Sequence, residues 1–464
     1  MAYDSLNEDT IAAIATPVGQ AGIGIVRMSG DRAVEIAEKI FKPKKPANHA
    51  GSHRLNLGYL TDPASGEMID EVLLSFMKAP NSYTREDIVE INAHSGYILL
   101  SRILQIILEQ GARLAKPGEF TFRAFMNGRI DLTQAEAIVD LINSKSEKGL
   151  HLASRQISGE FRMQVEDLRQ KVLSLLAPME VAIDFPEDES GIFPREENVS
   201  LMERDILAPI ERILAAHSRR KIWMDGIDTV IAGRVNAGKS SLLNSLLNEQ
   251  RAIVTSIPGT TRDIIESFIH IGGVPLKLID TAGFRKVKGK VERMGIRLAE
   301  EKLAQADLTL IVVDQNRPLN RDDRNIIAKS KPENALIVLN KIDLPAKLDE
   351  KEWIKLSSGY RVTRTSALTG EGIDDLRAVI LDIVVGSDQD RTSSDTVPNL
   401  RHKRALEEAS GFFKKAIENT KQDLPLEIIA VDLNSGLEAL GEIIGETTNE
   451  DLLDKIFSQF CLGK

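Results

Sequence analysis

The chain has 464 residues, enough for about three or four domains of ordinary size. Lys and Arg total 59 against 69 Asp and Glu, a net charge of −10, and 42% of residues are hydrophobic. That balance excludes a largely disordered chain and argues against a protein that coats nucleic acid by bulk charge. No stretch approaches the roughly 18 apolar residues of a membrane span, and the acidic start (Asp4, Glu8, Asp9) lacks the basic and apolar segments of a signal peptide. A cytoplasmic location without membrane attachment is therefore expected. A single cysteine, Cys461, excludes an internal disulfide and a multi-cysteine metal site, and leaves a reactive thiol open.

The first 120 residues predict an α+β domain. Strand-like runs (Ile11–Ala15, Ile23–Arg27, Val72–Met77, Ile88–Ala93) alternate with helical ones (Asp31–Phe41, Tyr97–Gln110), separated by Pro- and Gly-containing turns. Near Asn127 the texture becomes helical. Thr133 and Glu136 have capping-box spacing, and Ala135, Ile138, Val139 and Ile142 follow at helical period. A long helix then carries Phe161, Val165, Leu168, Val172, Leu175 and Met179 on one face, and another is expected at about Leu201–Ile222.

From Ile227 to Val385 short β-branched runs (Thr229–Ala232, Leu276–Ile279, Leu308–Val313, Leu336–Leu339, Arg361–Thr365) alternate with helices, which suits a mostly parallel sheet covered on both faces. Ser387–Pro398 is a polar linker, and the remainder is helical again. The expected architecture is multi-domain. An N-terminal α+β domain (1–122) precedes a helical domain in two halves (123–224 and 386–464), with a Ras-like α/β domain (225–385) inserted between them.

The strongest chemical signal is Gly233-Arg234-Val235-Asn236-Ala237-Gly238-Lys239-Ser240, a phosphate loop between a strand and the helix Ser241–Leu247. Its glycines let backbone N–H groups turn onto phosphate oxygens. Lys239 places charge on the β- and γ-phosphates, and the Ser240 hydroxyl is positioned for Mg²⁺. Asp280-Thr281-Ala282-Gly283 follows the next parallel strand, where Asp280 can hold Mg²⁺ through water and the Gly283 N–H can meet the γ-phosphate. Asn340-Lys341-Ile342-Asp343 follows a third strand. The Asp343 carboxylate accepts hydrogen bonds from guanine N1–H and the 2-amino group, which adenine lacks, so GTP is selected over ATP. Ser366-Ala367-Leu368 offers a backbone N–H to guanine O6. Four motifs in this order, each at a strand's carboxyl end, resemble the translation-factor-type GTPases.

Ras-like GTPases orient the attacking water with a glutamine just after the second motif, where this chain has Phe284. Charge neutralisation therefore needs another source, and the loop Thr255-Ser256-Ile257-Pro258-Gly259-Thr260-Thr261-Arg262-Asp263 is the candidate. Thr261 is expected to complete the Mg²⁺ shell. Oxygens of the loop together with the Asn236 side chain can cage K⁺ beside the transferring phosphoryl group; the alternative is that Asn236 only braces the loop. Glu292 can orient water, or be a solvated glutamate at a helix start.

Beyond the GTP motifs, the chain closely resembles the MnmE (TrmE) tRNA-modification GTPase family over essentially its whole length. The most specific matches are Pro117-Gly118-Glu119-Phe120 running into Arg123-Ala124-Phe125-Met126-Asn127-Gly128-Arg129-Ile130-Asp131-Leu132, then Gly259-Thr260-Thr261-Arg262-Asp263, and the terminal Cys461-Leu462-Gly463-Lys464. The resemblance implies a K⁺-activated GTPase whose G domains dimerise across the nucleotides. With an FAD-dependent MnmG partner it would install an aminomethyl-type group at carbon 5 of the wobble uridine of certain tRNAs. The one-carbon unit would come from methylene- or formyl-tetrahydrofolate. It makes Asn236, Thr255, Ile257 and Thr260 the K⁺ ligands and Glu292 the water-orienting residue. It also implies that the N-terminal domain forms a constitutive homodimer and binds the folate through Arg27, Glu90, Arg129 and Lys464, and it counts Cys461 among the functional residues with its chemistry open.

Three positions depart from the family pattern: Val235 stands where proline is common, His94-Ser95-Gly96 where a His-Gly-Gly run is usual, and Arg129 where lysine also occurs. The competing reading is a GTP-driven switch or assembly factor without modification chemistry. Two basic clusters, Arg219-Arg220-Lys221 and Arg401-His402-Lys403-Arg404, are candidate tRNA contacts or solvated helix faces.

Overall fold

The computed structural model describes residues 9–17, 19, 21–44, 52–185, 193–247, 267–279, 305–386, 396–446 and 450–464. Near the N-terminus, β1 (Ile11–Ile14), β2 (Ile23–Ser29), β3 (Phe41–Pro43), β4 (Arg54–Thr61), β5 (Met68–Met77), β6 (Ile88–His94) and β7 (Arg113–Leu114) form one sheet in the order β3-β4-β5-β6-β2-β1-β7. All its pairs are antiparallel except β1 with β7. Alternation along the strands sorts side chains to two faces. Val26, Met28, Val89 and Ile91 meet α1 (Ala33–Ile40) and α2 (Tyr97–Glu109) through Ile36, Ile40, Leu100, Ile103 and Ile107. Arg27 and Glu90, one step out of that phase, are paired across β2 and β6 on the opposite face.

The helical part begins with α3 (Glu119–Met126), α4 (Leu132–Asn143), α5 (Glu147–Ile157) and the 25-residue α6 (Glu160–Asp184). A helical run from Arg195 to Asp225 follows, in which α7 (Arg195–Leu201) and α8 (Ala208–Arg220) are joined and continued by wider π turns. The start of α4 differs from the expected Thr133 cap. Asp131 is the N-cap: its Oδ1 accepts from Gln134 N at 3.0 Å, and Gln134 Oε1 accepts from Asp131 N at 3.0 Å. Glu136 is partly buried and pairs with Arg401 of another helix instead of capping.

The α/β block then runs β8 (Ile227–Ala232), α9 (Lys239–Leu247), β9 (Ser267–Ile271), β10 (Val274–Ile279), β11 (Leu308–Asp314), α10 (Arg321–Lys329), β12 (Ala335–Asn340), α11 (Glu350–Ser357), β13 (Arg361–Thr365) and α12 (Ile373–Val385). Its sheet has the order β13-β12-β11-β8-β10-β9 and is parallel except for β9 with β10. Leu242, Leu246, Leu376 and Ile380 cover one face; Ile327, Trp353 and Leu356 pack on the other. Because β8 has β10 on one side and β11 on the other, the winding reverses at its carboxyl end. Such a switch point opens a crevice for ligand.

The chain closes with α13 (Leu400–Lys421), α14 (Leu426–Ile444) and α15 (Glu450–Phe457). Leu406, Phe413, Leu433 and Leu440 from this end share one core with Phe161, Leu168, Leu176, Met202 and Ile206 from before the α/β block. The helical domain is therefore one body with the G domain inserted into it. Each of these large side chains contributes about 1.5–3 kcal/mol on burial, so the two halves hold each other. Among the described residues no helix is long and apolar enough to cross a membrane.

Candidate functional site

The phosphate loop leaves the buried end of β8 and enters α9. Its turn is made by backbone in the left-handed region, at Asn236 (φ 64°) and Gly238 (φ 101°). A Cβ on Gly238 would lie 2.1 Å from Asn340 Nδ2, so this position admits only glycine. Lys239 Nζ folds over the loop, donating to Gly233 O at 2.6 Å and Arg234 O at 2.7 Å. Ser240 and Ser241 are exposed in the first turn of α9, where the positive end of the helix dipole favours phosphate.

The base-reading motif is strapped to that loop. Asn340, buried at the end of β12, donates through Nδ2 to Ala237 O at 3.0 Å and accepts through Oδ1 from Ala367 N at 3.0 Å. One side chain thus joins three loops. Lys341 Nζ donates to Asn236 O at 2.9 Å. Ser366 Oγ donates to Asp343 Oδ1 at 2.6 Å, which orients an exposed carboxylate, and Leu368 stands 85% exposed beside it. This group has the form of a guanine nucleotide cradle with a carboxylate at the base end and a lysine at the phosphate end. Thr255, Ser256, Ile257, Pro258, Gly259, Thr260, Thr261, Asp280, Thr281, Ala282, Gly283 and Glu292 lie outside the described residues.

A second group forms on the outer face of the N-terminal sheet. Arg27 Nε and Nη2 both lie 2.7 Å from Glu90 Oε1, and Arg27 Nη1 donates to Gly463 O at 3.2 Å. Arg129 Nη1 donates to Tyr83 O at 3.0 Å, and its guanidinium carbon sits 4.8 Å from the centre of the Tyr83 ring. The same ring has the Arg27 guanidinium at 6.0 Å, and Phe120 has it at 5.7 Å. Burial pushes the Tyr83 hydroxyl above its ordinary pKa, against the Thr121 hydrogen bond and the two arginines. The C-terminal tail reaches this face because Phe457 and Phe460 stack, with ring centres 5.5 Å apart, and pack with Phe122 and Leu132. Cys461 is exposed on that tail, and Lys464 N donates to Cys461 O at 3.3 Å.

Comparison with known proteins decides what the two groups share. A model described as the MnmE helical domain matches residues 132–461, and one described as the GTP-binding protein TrmE N-terminus matches residues 10–129. Curated relatives named tRNA modification GTPase MnmE are similar over nearly the whole chain. The Geobacillus kaustophilus protein is 45% identical over 98% of this chain and 99% of its own length. The Thermoanaerobacter pseudethanolicus protein is 46% identical over the same shares, and the Staphylococcus aureus protein 42%.

The chain belongs to the MnmE (TrmE) family.

Among solved structures, an Aquifex aeolicus Era structure covers 40% of this chain and 66% of its own at 26% identity, with a TM-score of 0.27.

The described parts of the basic clusters are largely spent on internal ion pairs. Arg401 grips Glu136 at 2.9 and 2.8 Å and donates to the carbonyls of Glu442 and Ile443, closing the end of α14. His402 is fully buried, with Nε2 2.6 Å from Glu136 Oε2. Arg220 pairs with Asp140 at 2.6 Å and Lys221 with Asp307 at 2.5 Å. These cations hold helices together, whereas the sequence left a tRNA role open for them. Tyr83 belongs to no sequence motif and joins the N-terminal group only through the fold, whereas Phe120, part of the Pro117–Phe120 run, meets the Arg27 guanidinium there.

Proposed function

We propose that this MnmE-family GTPase works on tRNA, with an MnmG-type FAD partner, to modify carbon 5 of the wobble uridine, taking a one-carbon unit from methylene- or formyl-tetrahydrofolate. The observation that supports this most is that the C-terminal tail carrying Cys461 is seated on the Arg27–Glu90 pair in the same chain as a guanine nucleotide cradle. Glu90 would accept from the donor edge of the pterin, and Arg27, Arg129 and Lys464 would meet its acceptors or the glutamate carboxylates. Cys461 is the functional thiol of that site.

At the G domain, Asp343 and the Ala367 N–H would receive the base of GTP, with Asn340, Lys341, Ser366 and Leu368 completing that end of the site, and Ala237 to Ser241 would hold its phosphates. Mg²⁺, held through Ser240, Thr261 and Asp280, would screen the phosphate charges. The left-handed turn at Asn236 exposes its side chain at the loop, which fits a cation ligand; Thr255, Ile257 and Thr260 complete the K⁺ set. A K⁺ ion there supplies the positive charge that an arginine finger gives elsewhere. Glu292 orients the attacking water through a bridging water. The units are 1–122 for folate and constitutive homodimerisation, 225–385 for GTP and transient pairing of G domains, and 123–224 with 386–464 for the helical body.

The test is Arg27→Ala. Tetrahydrofolate binding, followed by equilibrium titration, should fall at least tenfold while GTP hydrolysis is retained. An equal loss of both would show that the two sites are not separate units.

A further inference from the structure

We propose that Asp314 is a positioning residue for the guanine nucleotide: its buried carboxylate holds the Lys341 ammonium where that ammonium ties the base-reading loop to the phosphate loop. Asp314 ends β11, directly beside Asn340 in the β11–β12 ladder, and is 1% exposed. A buried carboxylate is costly unless it is paired and hydrogen-bonded. Here its two oxygens have separate tasks. Oδ1 accepts from Asn316 N at 2.9 Å, which fixes the plane of the carboxylate. Oδ2 faces cations, with Lys341 Nζ at 2.6 Å, Arg317 Nε at 3.8 Å and Arg234 Nη2 at 3.9 Å.

Lys341 Nζ is thereby placed to donate to Asn236 O in the phosphate loop. Both residues at the ends of that link are non-glycine residues in the left-handed region, Lys341 at φ 67° and Asn236 at φ 64°. Such backbone persists only where its surroundings hold it. A single ammonium joins the two strained turns, and Asp314 is its fixed counter-charge. Arg234 adds a second strap from the same loop, donating through Nη1 to Pro318 O at 3.2 Å with Asp323 at 3.5 Å. Without the carboxylate, the partly exposed Lys341 side chain gains more by solvating its charge in water than by bridging. The two loops that grip opposite ends of the nucleotide would then move independently.

The experiment measures release of a fluorescent GDP analogue from the full-length protein, for the parent chain, Asp314→Asn, Lys341→Met and the double variant. Asp314→Asn is isosteric and should speed release at least tenfold. In the Lys341→Met background the same change should alter release less than twofold, because the carboxylate acts through the ammonium. The double variant carries neither charge, whereas Lys341→Met alone leaves the carboxylate facing only Arg317 and Arg234. Equal acceleration by Asp314→Asn in both backgrounds, or none in the parent, overturns the proposal. A purely structural Asp314 would give the first of these.

Discussion

Arg27 and Gly463 are 436 positions apart in the chain and meet at 3.2 Å, the guanidinium donating to the glycine carbonyl. Gly463 sits at φ 91°, and a Cβ there would lie 2.6 Å from Ile14 O. The tail is thus fitted against β1 by a residue that tolerates no side chain. Gly463→Ala should lift the tail from the sheet and lower tetrahydrofolate affinity at least tenfold, measured by titration. Unchanged affinity would mean that the tail plays no part in the folate site.

Asp343, whose carboxylate accepts from Ser366 Oγ at 2.6 Å, is the proposed guanine-selecting residue, through two accepted hydrogen bonds. Asp343→Asn turns one acceptor into a donor. Xanthine, with a carbonyl in place of the 2-amino group, matches that donor. The variant should lose GTP affinity by about a thousandfold and gain XTP turnover, followed by phosphate release. Loss of both nucleotides would indicate a collapsed loop and not a changed specificity.

Asn236→Ala removes one proposed K⁺ ligand and leaves the phosphate-loop lysine in place. The stimulation of GTP hydrolysis by K⁺ over Na⁺ should vanish, with the variant showing the Na⁺ rate in either salt. A variant still stimulated by K⁺ would remove Asn236 from the cation site.

His402 makes stability depend on pH. Burial pushes its pKa down from 6.5; the Glu136 carboxylate opposes this, and Arg401 and Arg220 add to it. As pH falls below about 6.5 the unfolded chain takes up a proton that the folded chain refuses, so stability falls, by at most ~1.4 kcal/mol per pH unit. Burial pushes the Glu136 carboxyl up, but the Arg401 guanidinium beside it holds it well below its ordinary 4.5, so its own contribution is lost only at more acid pH. His402→Gln should flatten the decline of Tm between pH 7 and 5. An unchanged slope would assign that decline to other groups.

The phosphate loop and the Asn340–Asp343 run, which the fold brings together, were legible in the sequence because each is a contiguous run at one strand end. The cluster Arg401-His402 was not, because its partner Glu136 is 265 residues from Arg401. Adjacent cations read as a solvated face until the fold supplies a buried acid. Asp314 was missed for a similar reason: it looks like the polar end of an apolar strand, and its counter-charge lies 27 residues on. Strand β4 was missed because Leu55 and Leu57, 63% and 45% exposed, put apolar side chains outward and blur the alternation. Strand β7 is two residues long and β9 is an edge strand, too little pattern to read.

The proposed role of this chain is in wobble-uridine modification of tRNA. It is tested most directly by mass spectrometry of tRNA nucleosides from cells lacking the protein, and from the same cells complemented with the parent chain or with Cys461→Ser. The aminomethyl-type groups at carbon 5 of the wobble uridine should be lost, and restored by the parent chain and not by the Cys461 variant. A wobble-uridine profile unchanged by removal of the protein would contradict it.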